Sequence, residues 1–134
     1  MNMDLAQLNY WAVLAGAIFY MIFGALYYSP VLFGSQWTRL NKVKEGHMSN
    51  PLIYVASTGV AFLSSFLVAV LVQAAGAGNL VSGLILGFIV GILVALVYLK
   101  NAAFGLMSSK VYAIAAGEHL VSFLVLGALH GGLS

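Results

Sequence analysis

The residues best suited to chemistry lie in one apolar segment near the end of the chain. Glu118 and His119 are adjacent there, Ser122 lies one helical turn further on, and His130 follows near the segment's end. A carboxyl and an imidazole can each hold and pass a proton, and both are costly to place in hydrocarbon. The pattern therefore indicates either a pathway for a proton or small cation, or polar groups that hold helices together.

The two histidines do not predict a metal centre. His119 and His130 are eleven residues apart, so on a helix they align on one side and lie roughly 16 Å apart along its axis. That distance is too long for a shared ion, and the chain has no cysteine, so we expect no metal and no cofactor. The sequence also lacks HExxH, Ser–Lys and paired-Asp arrangements and a phosphate-binding loop, so no enzymatic activity is expected.

The buried carboxyl must be accommodated in some way. Glu118 lies roughly 10 Å into its apolar segment, where it has to be protonated, bonded to a partner or turned to a water-filled cavity. Ser122 is within local reach. Asn101, just beyond Lys100, is expected within reach of Glu118 from the preceding helix. Tyr27, in the aromatic pair that ends the first apolar segment, is a further candidate for the pathway.

Four membrane helices must position these residues. Of the 134 residues, 63% are hydrophobic and 6% are charged, whereas about a quarter of a soluble domain is charged. A helix needs about 20 apolar residues to cross a bilayer, and four stretches satisfy this. The prediction is a single membrane domain over 1–134, all-α and integral to the membrane, with spans at about 8–28, 52–73, 80–99 and 111–130.

The distribution of positive charge predicts the orientation. All five Lys and Arg residues lie in the first and third connections, which the positive-inside rule places in the cytoplasm. The loop 31–50 is therefore expected to be cytoplasmic and both termini outside. The start, MNMDLAQL, lacks the basic stretch of a signal peptide, so we expect the first helix to be retained. The net charge of +2 is too small and too spread out to indicate nucleic-acid binding.

The two halves of the chain resemble each other. With an offset of 71 residues, the third helix places Gly87 on Gly16 and Tyr98 on Tyr27, and with an offset of 57 the run SFLV of the fourth helix falls on the same run in the second. We interpret this as two parallel helix-hairpin repeats related by an axis along the membrane normal. The pair Glu118–His119 has no ionisable counterpart in the second helix, which favours a site over a packing role.

Small residues recur every fourth position on several helices, and such stripes let helix backbones approach closely in lipid. The helix-packing candidates are Gly83, Gly87, Gly91 and Ala95 on the third helix and Gly16 and Gly24 on the first. The leading functional prediction is a protein that acts by helix packing, as a homo-oligomer or as an accessory subunit beside other membrane proteins and lipid. The alternative is a small channel or carrier with a proton or cation pathway through Glu118 and His119.

Two motifs resemble a known family. The first-helix ending GALYYSPVLFGSQW and the last-helix run AAGEHLVSFLVLGALHG are similar to the bacterial membrane family known as domain of unknown function 1761. The resemblance spans nearly the whole chain and implies a multi-pass, four-helix protein of the bacterial inner membrane without an assigned activity. In the family pattern an aromatic residue more often replaces Glu118, and Trp often replaces Tyr27. Glu118 is therefore a poor candidate for a shared family function, whereas His119 and the pair Ser122–Phe123 fit the pattern.

Overall fold

The computed structural model describes residues 4–28, 36, 39 and 51–134, and that part of the chain is all-helical. Each of its four long helices is long and apolar enough to cross a membrane, which confirms the predicted fold class. The predicted cytoplasmic loop 31–50 lies outside the described residues, except for Gln36 and Arg39. The helices are α1 (Tyr10–Tyr27), α2 (Pro51–Ala75), α3 (Leu80–Ala103) and α4 (Ser109–Gly132).

The helix ends follow from local residue chemistry. Asn9, Asn79 and Ser108 cap α1, α3 and α4, each accepting a backbone N–H of the first turn at 3.1, 2.8 and 3.2 Å. Such caps satisfy amide groups that the helix itself leaves without partners. After α2 and α3 the backbone turns through Gly76 and Gly105, at φ +67° and +77°, a left-handed conformation that glycine adopts without steric cost.

The last helix is the centre of the bundle. α4 packs against all three other helices, α1 packs against α2 and α4, and α3 lies along α4 with few other contacts within the described residues. Successive helices run antiparallel. We call the end where α1 and α3 finish the inner end, and the end where α2 and α4 finish the outer end. The described basic residues Arg39, Lys100 and Lys110 belong to the inner end.

Glycines bring α3 and α4 into backbone contact. Gly83, Gly87 and Gly91, which we call the glycine stripe, are buried against α4. A Cβ atom at Gly83 would collide with the carbonyl oxygen of Gly127, and one at Gly91 would lie 3.1 Å from the Cα atom of Leu120. The predicted stripe is therefore used inside the chain, where close backbone approach favours association in lipid. Ala95, its fourth predicted member, is half-buried.

The internal repeat stays a prediction. Ala61, Ser65 and Ala69 of α2 are buried, and so are the positions matched to them on α4. The two hairpins nevertheless pack differently, because α3 and α4 meet through glycines along much of their length while α1 and α2 make a looser contact.

Candidate functional site

One buried column of α4 carries three of the polar residues singled out by the sequence. The column consists of Glu118, Ser122, Leu126 and His130, at spacings of four residues along the side covered by the other helices. Glu118 and His130 are each 4% exposed, and Ser122 and Leu126 are fully buried. Because four residues make slightly more than one turn, the column winds slowly around the helix. It thus places one polar cluster near the inner end and another near the outer end. The inner cluster contains Glu118, Ser122 and the neighbouring His119. The outer cluster contains His130 and its partner Ser65.

At the inner cluster the carboxyl of Glu118 is only partly satisfied. The Ser122 hydroxyl donates to Oε1 at 3.4 Å, a long hydrogen bond, and Nδ1 of His119 lies 3.1 Å from Oε2. That distance suits an ion pair, but the angle is not that of a hydrogen bond. Nδ1 is therefore the one buried side-chain polar atom without a hydrogen bond in the part of the chain that is described. Buried polar groups are ordinarily bonded, so this pair calls for a functional explanation.

The third helix contributes a residue that sequence reasoning did not assign to the site. The Tyr98 hydroxyl is 3.1 Å from Nε2 of His119, and the two rings are stacked with centroids 5.1 Å apart. A signal for Tyr98 was present, since it matches Tyr27 in the proposed repeat. Asn101, the predicted contact from α3, is half-exposed near the inner end and makes no hydrogen bond to Glu118 among the described residues.

Residues of α1 border the inner cluster. The Tyr27 hydroxyl donates to the carbonyl oxygen of Ile114 at 2.6 Å, on the turn of α4 that precedes Glu118. Gly117 leaves room for that hydroxyl, since a Cβ atom there would lie 2.9 Å from it. A Cβ atom on Gly24 would be 3.8 Å from Oε1 of Glu118. Tyr27 and Gly24, predicted as a pathway residue and a packing residue, thus both border the buried carboxyl.

The outer cluster joins three helices through His130. The Ser65 hydroxyl of α2 donates to the carbonyl oxygen of Val13 on α1 at 2.8 Å, and it lies 3.0 Å from Nε2 of His130. A hydroxyl has a single hydrogen, so its oxygen accepts from His130 and Nε2 carries the proton. Gly16 makes room for this contact, because a Cβ atom there would lie 3.3 Å from Nε2. In the sequence, Ser65 stands out only as the first residue of the repeated run SFLV in the second helix.

The two clusters are separated by an apolar plug. Leu126 occupies the position between Ser122 and His130 in the buried column, and no part of it is exposed. Eight residues separate the two polar positions, which is roughly 12 Å along the helix axis. In this conformation the column is polar at both ends and closed in the middle. Leu126 belongs to a hydrophobic cluster with the buried residues Val68, Val72 and Ala77, against which Tyr20, Leu86 and Phe123 pack.

A cavity of about 320 Å³ lies at the outer end, and His130 is among its lining residues. Nδ1 of His130 makes no hydrogen bond to any residue that the structure describes, so it is available to water in this cavity. The N-terminal segment is fastened beside it, because Gln73 exchanges two hydrogen bonds with the backbone of Asp4, at 2.9 and 3.0 Å. Asn9 also donates to the carbonyl oxygen of Leu133 at 2.9 Å. The outer cluster therefore adjoins a cavity beside which hydrogen bonds hold the N-terminal segment in place.

The alignment of the two histidines does not bring them to one site. His119 contacts Tyr98 of α3, whereas His130 contacts Ser65 of α2. Within residues 4–28 and 51–134, no three His, Asp or Glu side chains come together in a way that could hold a metal ion.

Comparison with known proteins identifies the family. A family model described as "Protein of unknown function (DUF1761)" matches residues 11–131, which cover all four helices except the first residue of α1 and the last residue of α4. The chain belongs to the DUF1761 family. No curated protein and no solved structure matches it. DUF1761 membership, with four helices suited to crossing a membrane, makes this a polytopic membrane protein.

Proposed function

We propose that this DUF1761 protein carries protons across the membrane along the buried column of α4, as a small channel or carrier without enzymatic activity. The observation that supports this most strongly is the placement of Glu118, Ser122 and His130 on one buried line, with a single apolar residue between the clusters. Lys and Arg are absent from this line, so it suits a cation or proton and not an anion.

The polar residues of the column are costly to place in lipid. An ionisable group at this depth costs a few kcal/mol unless partners or water offset it, and such residues usually mark pathways. Helix packing does not require them here, because the glycine stripe already brings α3 against α4. A carboxyl with one long hydrogen bond and a ring nitrogen with none can exchange a proton without first breaking strong bonds.

The proposal includes a location and an orientation. We place the protein in the bacterial inner membrane, with the inner end and its basic connections in the cytoplasm and both termini outside. The outer cavity would then supply protons to His130 from outside, and the cluster at Glu118, His119 and Tyr98 would exchange them with the cytoplasmic side. The positive-inside rule supports this orientation of the protein, with the basic residues on the cytoplasmic side.

A flux measurement tests the proposal. The purified protein is reconstituted into vesicles that contain a pH-sensitive dye, and a potassium gradient with valinomycin drives proton entry. We expect faster acidification than in protein-free vesicles. Combining Glu118→Gln with His119→Ala should bring the rate back to that of protein-free vesicles, because the carboxyl and the imidazole of the inner cluster are gone and the Tyr98 hydroxyl has lost its partner.

The matched control is Asp4→Asn, which makes the same carboxyl-to-amide change at an exposed residue outside the column. Its flux should equal that of the unchanged protein. A native protein that conducts no faster than empty vesicles, or a double variant that conducts as fast as the native protein, contradicts the proposal.

An assembly role is the second candidate, and the position of α3 favours it. Because α3 packs mainly on α4, its other side presents large apolar side chains that suit lipid or another helix. The glycine stripe is covered within the chain, so a homo-oligomer or a contact with another membrane subunit would use this other face. The exposed apolar residues on α3 include Leu84, Ile85, Phe88, Ile89, Ile92, Leu93, Leu96 and Val97.

Native mass spectrometry tests the assembly role. A discrete oligomer or a co-purifying subunit is expected. The double variant Phe88→Ala, Ile92→Ala should lower the fraction of protein in that assembly and raise the fraction of free monomer. Leu67→Ala, at an exposed position on α2, should leave the assembly intact. A protein that stays monomeric and partnerless at every detergent concentration rules this candidate out.

A further inference from the structure

Two basic side chains, one from a connection and one from the start of α4, share a cavity at the inner end of the bundle. The cavity measures about 370 Å³, and its lining includes Arg39 from the connection between α1 and α2 and Lys110 from the first turn of α4. The other described residues of the lining are Gln36, Ala113 and Ile114. Bringing a guanidinium and an ammonium group to one cavity costs repulsion, which an anion between them would relieve.

No carboxylate of the described residues lines this cavity. Asp4 lies at the outer end of the bundle, and Glu118 is buried two turns further along α4, beside His119. The start of α4 adds partial positive charge at the same place, because the first N–H groups of a helix point outward along its axis. The charge of the cavity is therefore uniformly positive within the described part of the chain.

The position of the cavity indicates the kind of anion. Lys110 is at the point where the apolar helix α4 begins, which is where phospholipid headgroups lie against a spanning helix. Ala113 and Ile114 give it an apolar side one turn deeper, suited to the start of acyl chains. Arginine binds phosphate oxygens through paired N–H groups, and lysine adds a point charge.

We propose that Arg39 and Lys110 form a binding site for the phosphate group of an anionic phospholipid, seated against the first turns of α4. This site is separate from the buried column and does not depend on proton transport. It adjoins the column through one contact, since the carbonyl oxygen of Ile114 accepts the Tyr27 hydroxyl. A bound lipid would therefore hold the turn on which α1 docks.

The test measures lipid binding to the delipidated full-length protein by native mass spectrometry. Phosphatidylglycerol is expected to bind on the order of tenfold more tightly than phosphatidylcholine, and Arg39→Gln or Lys110→Gln should each weaken it by about fivefold. Lys110→Arg, which keeps the charge, should retain binding. The matched control is Lys100→Gln, which removes the same charge from the last turn of α3, outside the cavity, and should change binding little.

Other outcomes would overturn the proposal. Equal losses in Lys100→Gln and Lys110→Gln would show a diffuse electrostatic attraction and no site. Equal binding of phosphatidylglycerol and phosphatidylcholine would show that the site does not recognise the net negative charge of the headgroup. Inorganic phosphate is added as a competitor in a separate arm, and displacement of phosphatidylglycerol by low millimolar phosphate would identify a soluble phosphate, not a lipid, as the ligand.

Discussion

Gly127→Ala is expected to lower the free energy of unfolding of the bundle by about 2–3 kcal/mol, although alanine is the better helix former. The added Cβ atom would collide with the carbonyl oxygen of Gly83, and it would lie 2.7 Å from Cα and 2.8 Å from N of Gly87. All three are backbone atoms, so no side chain can move aside and α3 must separate from α4. Unfolding in a denaturing-detergent titration, followed by circular dichroism, measures the effect.

The control is the same substitution at a glycine in open space. Gly59 is exposed on α2, and a Cβ atom there would meet nothing within 4 Å. Gly59→Ala is therefore expected to leave stability unchanged or to raise it by up to about 1 kcal/mol through helix propensity. Equal destabilisation by the two variants would show that the contact between α3 and α4 is not the reason for the loss.

Leu126→Ala is expected to raise proton flux by on the order of tenfold, because shortening the apolar constriction lets water join the two polar clusters. The same change removes a fully buried side chain and should cost about 2–5 kcal/mol of stability. Dye-loaded vesicles measure the flux, and the detergent titration measures the stability.

A second substitution tests whether the rise in flux comes from water entering the column or from looser packing of the bundle. Leu126→Asn keeps the same number and branching of side-chain heavy atoms but makes the plug polar, so it should also raise flux. Leu67→Ala makes the same truncation on the lipid-facing side of α2, where Leu67 is 59% exposed, and should not change flux. A rise in Leu67→Ala equal to that in Leu126→Ala would indicate general leakiness.

The four-helix architecture could be predicted because the bilayer admits few alternatives. A spanning segment must satisfy its own backbone hydrogen bonds, so length and hydropathy suffice to locate helices. Asn79 and Ser108 likewise mark helix starts through purely local chemistry. The sequence also indicated Glu118, His119, Ser122 and His130 as residues of interest, because an ionisable or hydroxyl group in an apolar segment is visible without any partner.

The partners could not be predicted, because they depend on how helices rotate and cross. The glycine stripe was visible, but its use inside the chain depended on Gly127 and Gly131 facing it from α4. Asn101 and Tyr98 lie less than one helical turn apart on α3. The position of α3 along the axis of α4 decides that Tyr98, and not Asn101, contacts His119. Ser65 was one small residue among several until the crossing of α1, α2 and α4 placed it against His130.

The central claim, that protons follow the buried column of α4, is tested most directly by adding Glu118→Gln to Leu126→Ala and measuring proton flux in vesicles. If the pathway runs through Glu118, the double variant should conduct no faster than protein-free vesicles, even though its plug is removed. If the double variant conducts as fast as Leu126→Ala alone, the protons bypass Glu118 and the proposed pathway is wrong.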